Sequence, residues 1–324
     1  MSGWLLRRVG QALLVLVLMS LVVFIGLNAI GNPLDILIGE DLNQAERAQA
    51  IARLGLDQPL WQQYLGFLQG ALHGHLGTSY VHHEDALQLI LKRLPATVEL
   101  AISALLIAIV LGVPLGLFAG LYPEHPCSRL LMAGSIVGFS LPSFWVALML
   151  ILLFSVHLGW LPASGRGDTR ELFGVQWSWL TLDGLQHLLL PAFNLALFKV
   201  SLVLRLTRAG VREVLPQDFV RFARAKGLSP LRVVLVHVLR NTLIPLVTVL
   251  GLELGSTIAY AVVTESIFAW PGAGKLILDS INNLDRPVVV AYLMVVVVIF
   301  VSLNLIVDVL YRVLDPRVRL EGAR

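Results

Sequence analysis

Hydropathy constrains this chain more than any motif does. Six stretches, at about 9 to 31, 97 to 121, 131 to 157, 187 to 206, 243 to 264 and 288 to 311, are each apolar over roughly the 20 residues that a helix needs to cross a bilayer. In hydrocarbon every backbone N–H and C=O must be bonded within the protein, so these stretches are expected as spanning helices of an all-α integral membrane protein. Composition agrees: 57% of the 324 residues are hydrophobic and 14% charged, with a mean hydropathy of +0.80. The first stretch follows Arg7 and Arg8 as a signal peptide would, but Val9 to Ile30 exceeds the about 7 to 15 residues of a signal core and reads as an uncleaved helix. A single cysteine, Cys127, excludes an intramolecular disulfide and is expected on the reducing side.

Basic residues near the span ends set the orientation. With both termini cytoplasmic, the inner segments hold fifteen Lys and Arg, eight of them between Arg205 and Arg240, and the outer segments hold eight. Acids such as Asp35, Glu40, Asp41, Glu46, Asp57, Glu84 and Asp85 collect outside. The net charge of +3 is thus polarised across a membrane and is not aimed at nucleic acid. The expected organisation is a first helix at 1–31, an extracytoplasmic segment at 32–94 with an amphipathic stretch at Asn43 to Leu54, a transmembrane domain at 95–311, and a cytoplasmic tail at 312–324.

Two spans carry more than hydropathy. The second has Gly112, Gly116 and Gly120 on one face, where another helix can approach closely, and Pro114 within it. The fifth has Gly251, Gly255 and Ala259 on one face and Glu253, Thr257, Tyr260 and Thr264 on another, the arrangement of a helix that lines a path. The alternative is that its hydroxyls only bond neighbouring helices. A carboxylate in mid-membrane costs a few kcal/mol or more and faces a cavity or a partner. Lys199 in the fourth span is the counter-charge nearest in depth to Glu253. Pairing, separate contacts to substrate, and snorkelling of Lys199 to the inner interface all remain open.

Between the fourth and fifth spans runs DFVRFARAKGLSPLRVVLVHVLRNTLIP, Asp218 to Pro245. Asp218 is read as the N-cap of a short helix and Gly227 as its left-handed stop, with Lys226 in the last turn. Phe219, Phe222, Ala223 and the stem of Lys226 form a stripe at helical spacing, with Arg221, Arg224 and Ala225 on the remaining surface. Ser229 with Pro230 opens the next helix. Such an element, charged and set between apolar spans, suits docking to a cytoplasmic partner.

These residues resemble the inner-membrane permease subunits of ABC importers, in the dipeptide, oligopeptide and nickel branch. The wording Ala223 to Leu228, followed by His237, Arg240, Asn241 and Pro245, is similar to that family's cytoplasmic EAA motif, although Arg221 stands where the general pattern has an acid. Further blocks run from Leu54 to Tyr64, Leu94 to Leu100, Ser140 to Trp145, Thr264 to Gly274 and Leu314 to Arg319. The resemblance implies the type I importer permease (MetI-like) fold with six spans, residence in the bacterial inner membrane, and a coupling segment at 207–242. It also implies a homologous second permease, two cytoplasmic ATP-binding subunits and an extracytoplasmic binding protein as partners. The cargo would be di- or oligopeptides, or alternatively nickel or a metal chelate. Asp218 to Gly227 would be the coupling helix; no cofactor and no catalysis are implied.

Other function classes find no support in the sequence. No H-E-x-x-H or G-x-S-x-G motif occurs in a span. Gly272-Ala273-Gly274-Lys275 lacks the earlier glycine and the following hydroxyl of a phosphate loop. No inverted repeat of broken helices or filter sequence marks a self-sufficient channel or secondary transporter. His73, His75, His82 and His83 crowd one outer segment, but their irregular spacing reads as solvated side chains rather than a metal site.

Overall fold

The computed structural model of the protein describes residues 2–29 and 58–314. The amphipathic stretch Asn43 to Leu54, the acids from Asp35 to Asp57, and the motif beyond Leu314 lie outside the described residues. In chain order the helices begin with α1 Ser2–Ala29, α2 Leu60–Leu72, α3 Ala86–Leu121 and α4 Pro126–Ser140. Helix α5, Ser143–Leu150, continues into a π-helical turn at Ile151–His157. A hairpin of β1 Arg170–Leu172 and β2 Val175–Trp177 follows. Then come α6 Leu182–Val214, α7 Asp218–Ala225, one turn at Pro230–Arg232 that widens into a π-helical segment at Val233–Val238, and α8 Leu239–Ile267. Helices α9 Ala273–Asn282 and α10 Arg286–Leu314 complete the described chain.

Among the described residues five helices, α1, α3, α6, α8 and α10, are long and apolar enough to cross a membrane. The expected third span is different: α4 and the α5 segment are bent by 105° at a short break. Pro142 explains the break, because its ring pushes the preceding residue out of the helical region, and Leu141 is extended at φ −74, ψ 134. Each piece is about 22 Å long at 1.5 Å per residue, short of the roughly 30 Å of hydrocarbon that a straight span must cross.

Contacts group the described residues into two compact units, one drawn from 1–94 and 272–305, the other from 95–271 and 306–324. In the first, α1 meets α2 through a hydrogen bond between the Ser20 and Tyr64 hydroxyls, 2.8 Å apart, and through Phe24 packed 5.3 Å from the Tyr64 ring. The segment before α3 is strapped to the turn before α10. Buried Asp285 accepts from the Ser79 hydroxyl at 2.5 Å and the Tyr80 N–H at 3.0 Å, while Ser79 Oγ accepts from the His82 N–H at 2.9 Å. Gly77 there has φ +102, a conformation that a side chain resists. Lys92 bonds Glu84 at 2.7 Å and holds its carboxyl below the usual carboxylate range.

The second unit is organised by α6. The glycine face of α3 meets it as expected: a Cβ on Gly112 would lie 2.8 Å from Val203, one on Gly116 2.5 Å from the Leu204 carbonyl, and one on Gly120 2.7 Å from Val211. Thr181 caps α6, its hydroxyl accepting the Gly184 N–H at 3.0 Å. The hairpin turns on Phe173 and Gly174, both at positive φ, which is the geometry of a two-residue turn matched to strand twist. Helix α8 has no single apolar stripe; its Gly251 lies against Val307.

Candidate functional site

The docking helix α7 begins at Asp218, and Gln217, not Asp218, is its N-cap, with no side-chain capping bond. Asp218 occupies the first helical position, where its charge favours the helix dipole, and its carboxylate is 3.6 Å from Arg221. At the C-terminus Gly227 has φ +75 as expected, while Lys226 is the C-cap just past the last turn, where Arg224 is the basic residue. The expected stripe does not face one way. Ala223 joins Val220 in a buried cluster with Val211, Val214, Val233 and Val238, so the end of α6 and the π-helical segment grip this helix from within the chain. Phe219 and Phe222 stay outside, Phe222 at 62% exposure, and the Lys226 ammonium sits 4.6 Å over the Phe222 ring. Arg221, Arg224 and Ala225 are exposed beside them. The surface α7 offers is therefore aromatic and basic, and its small residue is spent on the protein's own core.

A cavity of about 550 Å³ opens among α4, α5, α6 and α8. Lys199, Glu253, Thr257, Tyr260 and Thr264, the five residues read from sequence as a path, all line it. Lys199 and Glu253 form an ion pair, the first of the alternatives left open above. Ser256, which sequence reasoning passed over, completes it: its hydroxyl lies 3.2 Å from the ammonium and 3.1 Å from Glu253 Oε2. Its position three residues after Glu253 could have signalled this role. Lys199 and Glu253 retain 11% and 23% of their side-chain exposure, so the pair belongs to the cavity wall and not to packed interior.

The other polar residues divide. Thr257 donates back to the Glu253 carbonyl of its own helix at 2.5 Å, whereas Thr264 accepts from Asn194 Nδ2 of α6 at 2.9 Å, the contact to a neighbouring helix that the alternative reading expected. Tyr260 is 77% exposed. Apolar walls come from Leu141, Val146, Leu195, Leu197, Phe198 and Val263.

A second constellation was not read from the sequence, although its acid, Glu99, stands inside the expected span at 97 to 121. Glu99 on α3 is fully buried; Arg166 donates to its Oε2 through Nη2 at 2.7 Å and Nε at 3.2 Å. Its Oε1 accepts the N–H groups of Ser178 at 2.6 Å and Trp179 at 3.1 Å. Arg166 also donates to the Gln176 carbonyl at 2.6 Å and lies 5.6 Å over the Trp270 ring, whose indole N–H bonds the Ala96 carbonyl at 2.9 Å. The knot fixes the hairpin to α3. The outer-segment histidines form no such centre: His73 bonds the Gln69 carbonyl, and His75 lies 3.4 Å from Asp85. Among the described residues no group of three His, Cys, Asp or Glu is placed to hold a metal.

Comparison with known proteins decides the family. Residues 112–320 match the binding-protein-dependent transport system inner membrane component, and residues 1–101 match the N-terminal region of such membrane components. The chain belongs to that family. It is a multi-pass component of the bacterial inner membrane. Among relatives of this permease, a di/tripeptide transport system permease protein of Pseudomonas aeruginosa is 40% identical, the alignment covering 98% of this chain and 99% of that protein. A dipeptide transport system permease protein of Escherichia coli K12 is 37% identical with the same coverage. An oligopeptide transport system permease protein of Bacillus subtilis is 36% identical over 98% of this chain and 99% of its own. An inward-facing structure of the MetNI methionine ABC transporter shares the fold, with a TM-score of 0.55 at 18% identity, covering 70% of this chain and 97% of that one. The helical permease fold expected from the sequence is thus confirmed, with one short hairpin added to it.

Proposed function

We propose that this permease moves di- or oligopeptides as one subunit of an ATP-driven importer, receiving them from an extracytoplasmic binding protein. A homologous second permease and two cytoplasmic ATP-binding subunits complete the assembly, and the chain performs no catalysis itself. The observation that carries the reading is the cavity: apolar walls with charges of both signs suit a ligand of mixed polarity, and its size falls in the range of small-ligand sites. The names of full-length relatives favour peptides over nickel. Expression together with its partner subunits in a strain without peptide permeases should restore growth on a dipeptide that supplies a required amino acid. Failure of uptake, with the assembled complex present, would overturn the reading.

Helix α7 is the proposed coupling helix. Its buried residues tie it to α6 and the π-helical segment, so a push from a closing ATPase dimer is transmitted to both long helices. Ala223 is a poor probe because a larger side chain there disrupts the chain's own core, and any side chain at Gly227 is strained by about 1–3 kcal/mol. Phe222→Ala is cleaner. It should leave the permease folded while reducing copurification of the ATPases and uptake by at least tenfold, about 1.4 kcal/mol of lost association. Wild-type copurification would remove the assignment.

We place both termini in the cytoplasm, which requires an even number of crossings. The described residues supply five straight spans, and this placement takes the bent α4–α5 pair as the sixth crossing. In a background where Cys127 is replaced by Ala, cysteines at Ser164 and Asn283 should react with an impermeant thiol reagent from outside, and one at Gln217 should not. All three positions are exposed, so accessibility does not confound the result. Labelling of Gln217 in intact cells would reverse the orientation.

A further inference from the structure

We propose that Lys199 and Glu253 form a charge-exchange site for zwitterionic cargo, an inference that rests on the peptide reading above. The cargo carboxylate takes over the Lys199 ammonium, the cargo ammonium takes over Glu253, and the two side chains close on each other again when the cargo leaves.

Three observations carry this. First, the pair lines the cavity instead of being sealed between helices, and both side chains keep part of their exposure. A pair with a purely structural role gains nothing from facing an open space in a membrane protein, where apolar residues would serve packing at least as well. Secondly, each partner has capacity left. The Lys199 ammonium has three protons and bonds Glu253 Oε2 and Ser256 Oγ, leaving one. Glu253 uses Oε2 for Lys199 and Ser256, and among the described residues its Oε1 accepts no hydrogen bond. Cargo can therefore bind the spare proton and the spare oxygen before the original pair opens. At no stage does an isolated charge stand in a low-dielectric region, which is the costly state. Thirdly, Ser256 Oγ sits between the two, accepting from the Lys199 ammonium at 3.2 Å while its proton is shared between the Glu253 backbone carbonyl at 2.9 Å and Oε2 at 3.1 Å, so Lys199 keeps an acceptor on α8 when Glu253 turns to cargo.

The site consequently favours cargo with both charges. A peptide with a blocked terminus replaces only one partner and strands the other, whereas a zwitterion satisfies both. Sites that leave a polar group unpaired reject the incomplete ligand strongly.

The test uses the complete transporter in proteoliposomes, with trialanine and its C-terminal amide as probes, each at a concentration that saturates the binding protein. Lys199→Met and Glu253→Gln should each reduce trialanine uptake by at least tenfold. The double variant removes both charges together and should keep the wild-type melting temperature, yet its preference for trialanine over the amide should fall at least tenfold relative to wild type. The reversed pair, Lys199→Glu with Glu253→Lys, keeps both charges and should recover uptake to within a few-fold of wild type. A double variant with wild-type uptake and unchanged preference would overturn the proposal and leave the pair a structural strut. Should the double variant fail to fold, the reversed pair decides: a folded reversed pair with uptake as low as the single variants also overturns it. If the wild-type transporter moves neither probe, the peptide reading itself fails, a result separate from any of these.

Discussion

Gly116→Leu is expected to remove the folded permease from the membrane. A Cβ at this position would lie 2.5 Å from the Leu204 carbonyl oxygen and 2.7 Å from the Thr207 Cβ. The first obstacle is backbone, so no rotamer change relieves it; α3 and α6 must separate. Overpacking by a single methylene already costs about 1–3 kcal/mol, and a leucine adds four carbons. Separation would also release the contacts at Gly112 and Gly120, because the three glycines meet successive turns of the same helix. Against a total stability of about 5–15 kcal/mol, that loss leaves little folded protein. Size-exclusion profiles in detergent should show aggregate in place of a monodisperse peak. Gly10→Leu is the matched control, since nothing lies within 4 Å of a Cβ there. A monodisperse Gly116→Leu protein with unchanged melting temperature would refute the close approach.

The second large effect is expected at Glu99. Glu99→Ala leaves Arg166 without its carboxylate and the N–H groups of Ser178 and Trp179 without an acceptor, all at a buried site. Breaking a buried pair from one side costs about 3–5 kcal/mol. Glu99→Gln should cost less, because the amide oxygen can still accept one set of bonds. The double change Glu99→Leu with Arg166→Met should recover much of the loss, as neither charge remains to be solvated. Thermal unfolding of the three variants in detergent gives the order directly. Equal melting temperatures for Glu99→Ala and wild type would show that the knot does not hold the hairpin.

How far the sequence revealed these features depends on how local they are. Span positions follow from composition in a short window, so five of the six expected helices are present, α3, α6, α8 and α10 reaching or passing their expected limits and α1 described as far as Ala29. The bend at Leu141–Pro142 escapes such a window, because hydropathy records what a segment is made of and not where it points. The Lys199–Glu253 pair was open to suspicion because each charge is anomalous within its own span, and an anomaly in lipid calls for a partner. Glu99 sits in an equally apolar helix but its partner is 67 residues away in a polar loop, where an arginine attracts no notice. The stripe on α7 misled for a related reason. Helical spacing identifies neighbours on a surface, but which side turns inward is fixed by Val233 and Val238, which fold back from the next segment.

The π-helical segment at Val233–Val238 has a consequence for how chain length can vary in this region. A wide turn carries one residue more than the α-helical path between the same ends, and it is usually found where function is concentrated. Removing one residue there should let the backbone relax to the ordinary pitch, whereas the same deletion inside α8 would rotate everything beyond it by about 100° against its neighbours. Insertions and deletions tolerated between α7 and α8 should therefore gather in these six residues. Evolution would then possess a dial for setting the phase between α7 and the helix that bears Glu253.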